Sequence, residues 1–212
     1  MTSAPPPNPA AYIEEVLAAP LGLRERKKLK TRRAIRAAAY KRFAAQGYEG
    51  TTVDQIAADA DVSPSTFFRY FPTKEDLVIT DDYDPIMEAE LRSRPADESI
   101  LESLLQAMVQ PLRTVLVNER EDLLLRMRLL QQNPAVRARS LVETNRSRDM
   151  LLRVFAERTG RPAKGLGLRV QIAALLAVSA ETVEYWAEHD GEDDLIELLE
   201  QALDALATAL TT

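Results

Sequence analysis

Side chains that could move protons or hold metals are scarce in this sequence, and the few present stand apart. There is one histidine, His189, between Glu188 and Asp190, and there is no cysteine. Without a second histidine or a thiol, neither a nucleophile–base pair nor a zinc-type ligand set can form around it. Its place at the end of an apolar stretch suits capping of the last helical carbonyls instead. The acids Asp81, Asp82 and Asp84 lack further ligands nearby and read as a solvated helix face. The stretch GRPAKGLG, residues 160–167, lacks the spacing and the Lys-Ser/Thr ending of a phosphate-binding loop. No catalytic residue, metal site or cofactor is expected, and the chain reads as a non-enzyme.

A different chemistry lies between Thr51 and Lys74. Ser65, Thr66, Phe68, Arg69 and Tyr70 surround a short helix that has no structural need for such a polar and aromatic surface. Hydroxyls, a guanidinium and aromatic rings are the groups that touch phosphates and base edges in a DNA groove. Arg69 has the fork that matches a guanine edge, Thr66 suits a base or a thymine methyl, and Tyr70 suits phosphate or sugar.

Two helices joined by a tight turn must position these groups. The first, Thr52 to Asp59, has Thr52 as N-cap with Gln55 three residues on, the spacing of a capping box, and an apolar stripe of Val53, Ile56 and Ala57. The second starts at Ser63, a good N-cap, with Pro64 at the first helical position, where its missing N–H costs nothing. Phe67 and Phe71, four apart, turn inward together. Thr52, at a helix N-terminus, offers its hydroxyl and a backbone N–H to a phosphate.

The net charge of −6 would oppose DNA binding if it were evenly spread. Residues 1–80, however, hold 12 Lys/Arg against 9 Asp/Glu, a net of +3, which leaves −9 for the remainder. Residues 24–42 alone carry ten basic side chains, Arg32 among them, against the single acid Glu25. A basic head on an acidic body attracts phosphate at one end only, and Arg32 joins the DNA-contacting set on that ground.

The run from Arg24 to Val78 resembles the TetR family of bacterial transcriptional regulators. RERKKLKTRRAIRAAAYKRFAAQGYEG leads into TTVDQIAADADVS and then PSTFFRYFPTKEDLV, which is the family's whole N-terminal pattern. The resemblance covers roughly the first third of the chain. It implies an all-α fold, with an N-terminal three-helix helix-turn-helix DNA-binding domain joined to a C-terminal helical ligand-binding and dimerisation domain. It implies that Lys74 reaches the DNA backbone from the start of the next helix. Phe68 departs from the commoner family tyrosine, so a hydroxyl contact to phosphate is expected to be missing there, with the bare ring packing on thymine methyls.

The expected domains are a disordered or mobile arm over residues 1–21, the DNA-binding domain over 22–80 with its motif at about 51–70, and the helical body over 81–212. The first helix runs from about Leu23 to Gln46, with Ala34, Ile35, Ala38, Ala39, Phe43 and Ala44 on its apolar face and Gly47 ending it. Thr73 is placed as the N-cap of the next helix with Asp76 three on, and Pro85 kinks or divides that helix. Asn133 and Pro134 mark a helix stop and restart, and Asp193 and Asp194 open the last helix.

The last two helices carry apolar surface beyond what a monomer needs, with Ala173, Ala177, Ala202 and Ala205 allowing close approach, and the resemblance implies a homodimer through them. Two heads about 34 Å apart read successive major grooves of a palindromic double-stranded DNA operator. Met87, Met108, Leu112, Met127, Met150 and Phe155, beside the proline bends, are candidates to line a cavity for a small apolar or amphipathic effector; filling an ordinary core explains the same residues. The segments LGLRERKK, TFFRYFPTKED and DDYDP are similar to a subgroup of regulators that bind acyl-CoA-like ligands, and Arg137, Arg139, Arg146, Arg148 and Arg153 would then meet the ligand's phosphates. No uninterrupted apolar run approaches the ~20 residues of a membrane span, and the N-terminus has no signal-peptide pattern, so a cytoplasmic protein without a membrane partner is expected. The alternative function is a helical interaction or adaptor protein with only non-specific DNA affinity.

Overall fold

The computed structural model describes residues 23–80, 84–95 and 97–209, and every regular element among them is α-helical. The expected arm over residues 1–21 and the acids Asp81 and Asp82 lie outside the described residues. The chain divides into two compact units, Met1–Asp82 with Leu129–Ser140, and Tyr83–Arg128 with Leu141–Thr212.

The first unit opens with α1, Leu23–Gln46. Ile35, Ala38, Ala39 and Phe43 turn into the core as expected, but Ala34 and Ala44 are exposed. Tyr40 takes the inner position instead, because its ring fills the core while its hydroxyl donates to the Leu77 carbonyl at 3.1 Å. Gly47 ends the helix at φ +78°, a conformation that glycine adopts without strain. Two short helices come next, α2 (Val53–Asp59) and α3 (Pro64–Tyr70), and then the single-turn α4 (Asp76–Ile79). Phe67 and Phe71 are fully buried, as are Ile56 and Leu77, while Val53 is half-buried.

The segment Leu129–Ser140 completes this unit, although a single boundary after residue 80 would leave it with the body. It joins the end of one helix to the start of another, with Leu129 and Val136 buried.

The second unit holds α5 (Asp84–Ser93), α6 (Ile100–Asn118), most of α7 (Arg120–Gln132) and of α8 (Pro134–Thr159), then α9 (Leu166–Glu188) and α10 (Leu195–Ala209). The helix expected to run on from Thr73 is divided, resuming at Asp84 with Pro85 in its first turn, where a missing N–H is harmless. One core cluster joins Leu91, Leu104, Met150, Phe155, Ile172 and Leu203; a second gathers Leu123, Leu124 and Leu195 around Trp186. The Trp186 indole donates to the Asp193 carbonyl at 3.0 Å, and Gly191 (φ +68°) lies against the ring so closely that a Cβ there would stand 2.6 Å from it.

Although no uninterrupted apolar run approaches a membrane span, α9 among the described residues is long and apolar enough to cross a membrane by length and composition. The reading from uninterrupted runs overlooked it because Arg169 and Glu181 punctuate the helix. Two separate demands explain its apolarity without a bilayer: Leu168, Ile172, Leu175 and Trp186 face the core, while Ala177, Val178 and Tyr185 line an open groove against α10.

Candidate nucleic-acid interface

α3 is anchored from behind by its cap and by two phenylalanines. Ser63 caps α3, its hydroxyl oxygen accepting the Thr66 N–H at 3.1 Å, and Pro64 occupies the first turn. Phe67 and Phe71, with ring centroids 5.9 Å apart, anchor the inner face. The outer face is then left to Pro64, Ser65, Phe68 and Arg69, all exposed, with Thr66 and Tyr70 half-exposed at its edges. Phe68 keeps half of its surface in solvent although it is a bare hydrocarbon ring. Arg69 lies over the Tyr70 ring, its guanidinium carbon 5.4 Å from the ring centroid. These six residues are brought together on one face.

Thr52 forms the capping box with Gln55, through a 3.3 Å bond from the Gln55 N–H to the Thr52 hydroxyl and a 3.0 Å bond from the Thr52 N–H to the Gln55 side chain. The Thr52 N–H is thus taken by Gln55, and a backbone N–H offered to a phosphate here would have to come from the residues that follow it. The Thr52 side chain is exposed at the start of α2, where the partial positive charge of a helix N-terminus favours an anion.

Lys74 stands beside it. Its ammonium donates to the carbonyls of Tyr48 (3.0 Å) and Thr51 (3.2 Å) and rests 4.0 Å above the Tyr48 ring. Of three N–H donors, two are thus directed at the loop that leads into Thr52. Tyr48 donates its hydroxyl to Glu75 at 3.1 Å. Burial first, and then the carboxylates of Glu75, Glu49 and Asp76, push its phenol far above the ordinary range.

Arg32 is placed differently from the rest of the candidate set. Its guanidinium donates to the Tyr70 carbonyl (3.3 Å) and the Thr80 hydroxyl (2.7 Å) and lies 4.6 Å over the Phe71 ring. Arg36 joins it with a 2.8 Å bond to the Thr80 carbonyl. Charge counting along α1 could not separate these two from the outward-facing lysines, because the distinction depends on where α3 and α4 fall.

Among the expected effector-binding residues, Met87, Met108, Met150 and Phe155 pack in one core cluster and Leu112 and Met127 in the other. Met108 borders a small interior void beside Leu105 and Leu175, and at about 10 Å³ that void holds no more than a water. A larger hollow, about 660 Å³, opens between α9 and α10 and is lined by Ala177, Ala202 and Ala205, with Glu181 and Tyr185 on its walls. Three arginines of α8 have partners within the protein. Arg139 pairs with Asp76 at 2.8 Å, Arg146 with Glu143 at 3.1 Å, and Arg137 with the Gln131 carbonyl. The lone histidine ends α9 with its ring stacked 4.1 Å from Tyr185 and Nδ1 2.7 Å from the Tyr185 carbonyl, which is the capping role expected of it.

Comparison with known proteins agrees with this layout. Residues 35–80 match the family described as bacterial regulatory proteins, tetR family, and residues 98–211 match the MftR C-terminal domain. The chain is 37% identical over 146 residues to the HTH-type transcriptional regulator TcmR of Streptomyces glaucescens, a match spanning 66% of this chain and 65% of TcmR. It is 26% identical to MftR of Mycobacterium tuberculosis over 79% of this chain and 85% of that protein. Among solved structures, Thermus thermophilus FadR, a TetR family repressor crystallised with lauroyl-CoA, superposes with a TM-score of 0.56 at 27% identity, covering 83% of this chain and 93% of FadR. Matched both at its helix-turn-helix and across nearly all of its C-terminal half, the chain belongs to the TetR family of bacterial transcriptional regulators.

Proposed function

We propose that this protein is a cytoplasmic repressor that binds a palindromic operator as a homodimer and leaves it when an acyl-CoA-like effector enters the body. The observation that carries the reading is the α3 face, where Pro64, Ser65, Phe68 and Arg69 stand exposed on a helix whose other side is locked by two buried phenylalanines. The groove between α9 and α10, lined by small residues, supports a second copy as its occupant, since Ala177, Ala202 and Ala205 let helices approach closely. FadR's lauroyl-CoA supports the effector class. The void near Met108 is too small for an acyl chain as it stands; parting of α6 from α9 and α10 would open it, and such a movement would couple ligand to DNA through differential affinity for two states.

Selection of binding sites from random duplex DNA tests this directly, with wild type and Arg69→Ala compared. Recovery of a palindrome by wild type, and relaxation of one base position in each half-site with a loss of about 1–3 kcal/mol in Arg69→Ala, is the expected result. Lauroyl-CoA is then titrated against the complex with the selected duplex, and release is expected. No enrichment by wild type, with only salt-sensitive weak binding, would favour the adaptor reading; a palindrome that lauroyl-CoA leaves bound would remove the effector class alone.

A further inference from the structure

We propose that the elbow Leu129–Ser140 is a working part of the DNA-reading head, and that Asn133 and Arg139 are positioning residues for the phosphate site at Thr52 and Lys74. The proposal rests on the DNA-binding reading given above. Lys74 staples two stretches of backbone, because it is carried by the turn before α4 while its ammonium reaches the carbonyls of Tyr48 and Thr51 in the loop before α2. The elbow grips both stretches. On the loop, Asn133 Nδ2 donates to Glu49 Oε1 at 2.6 Å, while the same amide's oxygen caps the Ala135 and Val136 N–H groups at 2.9 and 3.2 Å. On the turn, Arg139 Nε donates to Asp76 Oδ1 at 2.8 Å, and Asp76 Oδ2 accepts from both the N–H and the hydroxyl of Thr73 at 2.9 and 3.0 Å. Leu129 and Val136 are buried with them.

Charge makes this more than adhesion. Lys74 rests on the Tyr48 ring, whose hydroxyl donates to Glu75 at 3.1 Å, and Glu49 and Asp76 are the chain neighbours of Tyr48 and Glu75. Asp76 is only 1% exposed and two residues from Lys74, so its charge is poorly screened by water. Left without Arg139, it would compete with phosphate for the lysine ammonium. Arg139 answers that charge, and Asn133 holds the Glu49 carboxylate in place. The lysine's remaining donor and its positive charge are then directed at DNA.

Full-length Arg139→Met, Arg139→Lys and Asn133→Ser test this; serine keeps an oxygen to cap α8 but cannot reach Glu49. Binding to a random-sequence duplex is measured against salt concentration, which reads phosphate contacts whether or not an operator exists, and amide exchange is followed in the DNA-free protein. Arg139→Met and Asn133→Ser are expected to weaken duplex binding roughly tenfold, with the salt slope of Arg139→Met reduced by about one phosphate contact. Arg139→Lys should retain most of the affinity, and exchange at residues 48–52 and 73–76 should rise in both weakened variants. If Arg139→Met does not fold, Asn133→Ser decides the matter. Wild-type affinity and slope in a folded variant would overturn the proposal. A wild type that binds random duplex without selecting a palindrome would sink the operator reading while leaving this comparison decisive, and a wild type that binds no duplex would overturn both.

Discussion

Two arginines of the head show how a residue's surroundings decide its work. Arg69 is exposed beside Tyr70 on the outer face of α3, whereas Arg32 is committed to the Tyr70 carbonyl, Thr80 and the Phe71 ring. The same contrast holds for acids. In the body, Glu98 accepts two bonds from Arg94 and one from the buried Ser103 hydroxyl at 2.7 Å. The Arg94 side chain, with help from Ser103, holds the Glu98 carboxyl down to about 2, against an ordinary value near 4.5. A carboxyl depressed on folding contributes stability that is fully present above its unfolded pKa and fades as pH falls through the folded one. Wild type should therefore lose thermal stability between about pH 4.5 and 2 more steeply than Glu98→Gln, and melting followed across that window checks it. A parallel loss in both proteins would mean the pair is too solvated to matter.

At the scale of elements, the head was largely legible because its helices announce their own ends. Thr52 with Gln55, Ser63 with Pro64, and Asn133 with Pro134 all form the caps that their spacing suggests, since capping depends on neighbours within one turn. Ser63→Ala should accordingly lower head stability by about 1 kcal/mol and loosen the first turn of α3, read by denaturant unfolding and by amide exchange at Thr66. What could not be read were contacts across long separations. Tyr40 and Tyr48 are core residues by virtue of Leu77 and Glu75, and the elbow joins the head through partners more than sixty residues away. Periodicity along a helix reports which face is apolar, not which other helix will cover it. The same limit holds for the effector candidates: their helical spacing did not show that Met87 and Met108 pack in one core cluster and Met127 in the other.

For the molecule as a whole, charge sorts the two ends of the chain into opposite salt responses. After Arg169 the sequence holds ten acids and no lysine or arginine, and Glu181 stands on the wall of the α9–α10 groove with Glu184, Glu188, Glu197 and Asp204 exposed on the same two helices. Two copies meeting there repel one another, so the proposed dimer should tighten as salt rises from about 50 to about 200 mM. DNA binding should weaken over the same range as counterions compete with the basic head. Sedimentation for the first and duplex titration for the second give opposite slopes if the acidic pair of helices is the dimer face; a dimer that loosens with salt would point to another interface.

The single tryptophan, Trp186, sits in the smaller core of the body, sealed beneath Gly191 and hydrogen-bonded to the Asp193 carbonyl. The head has no tryptophan at all. Nature has in effect labelled one unit and left the other dark. Indole emission will report loosening of the α9–α10 connection while the circular dichroism of the whole chain reports both units. Any gap between the two melting curves then measures how far head and body unfold independently, without a dye, a tag or a mutation.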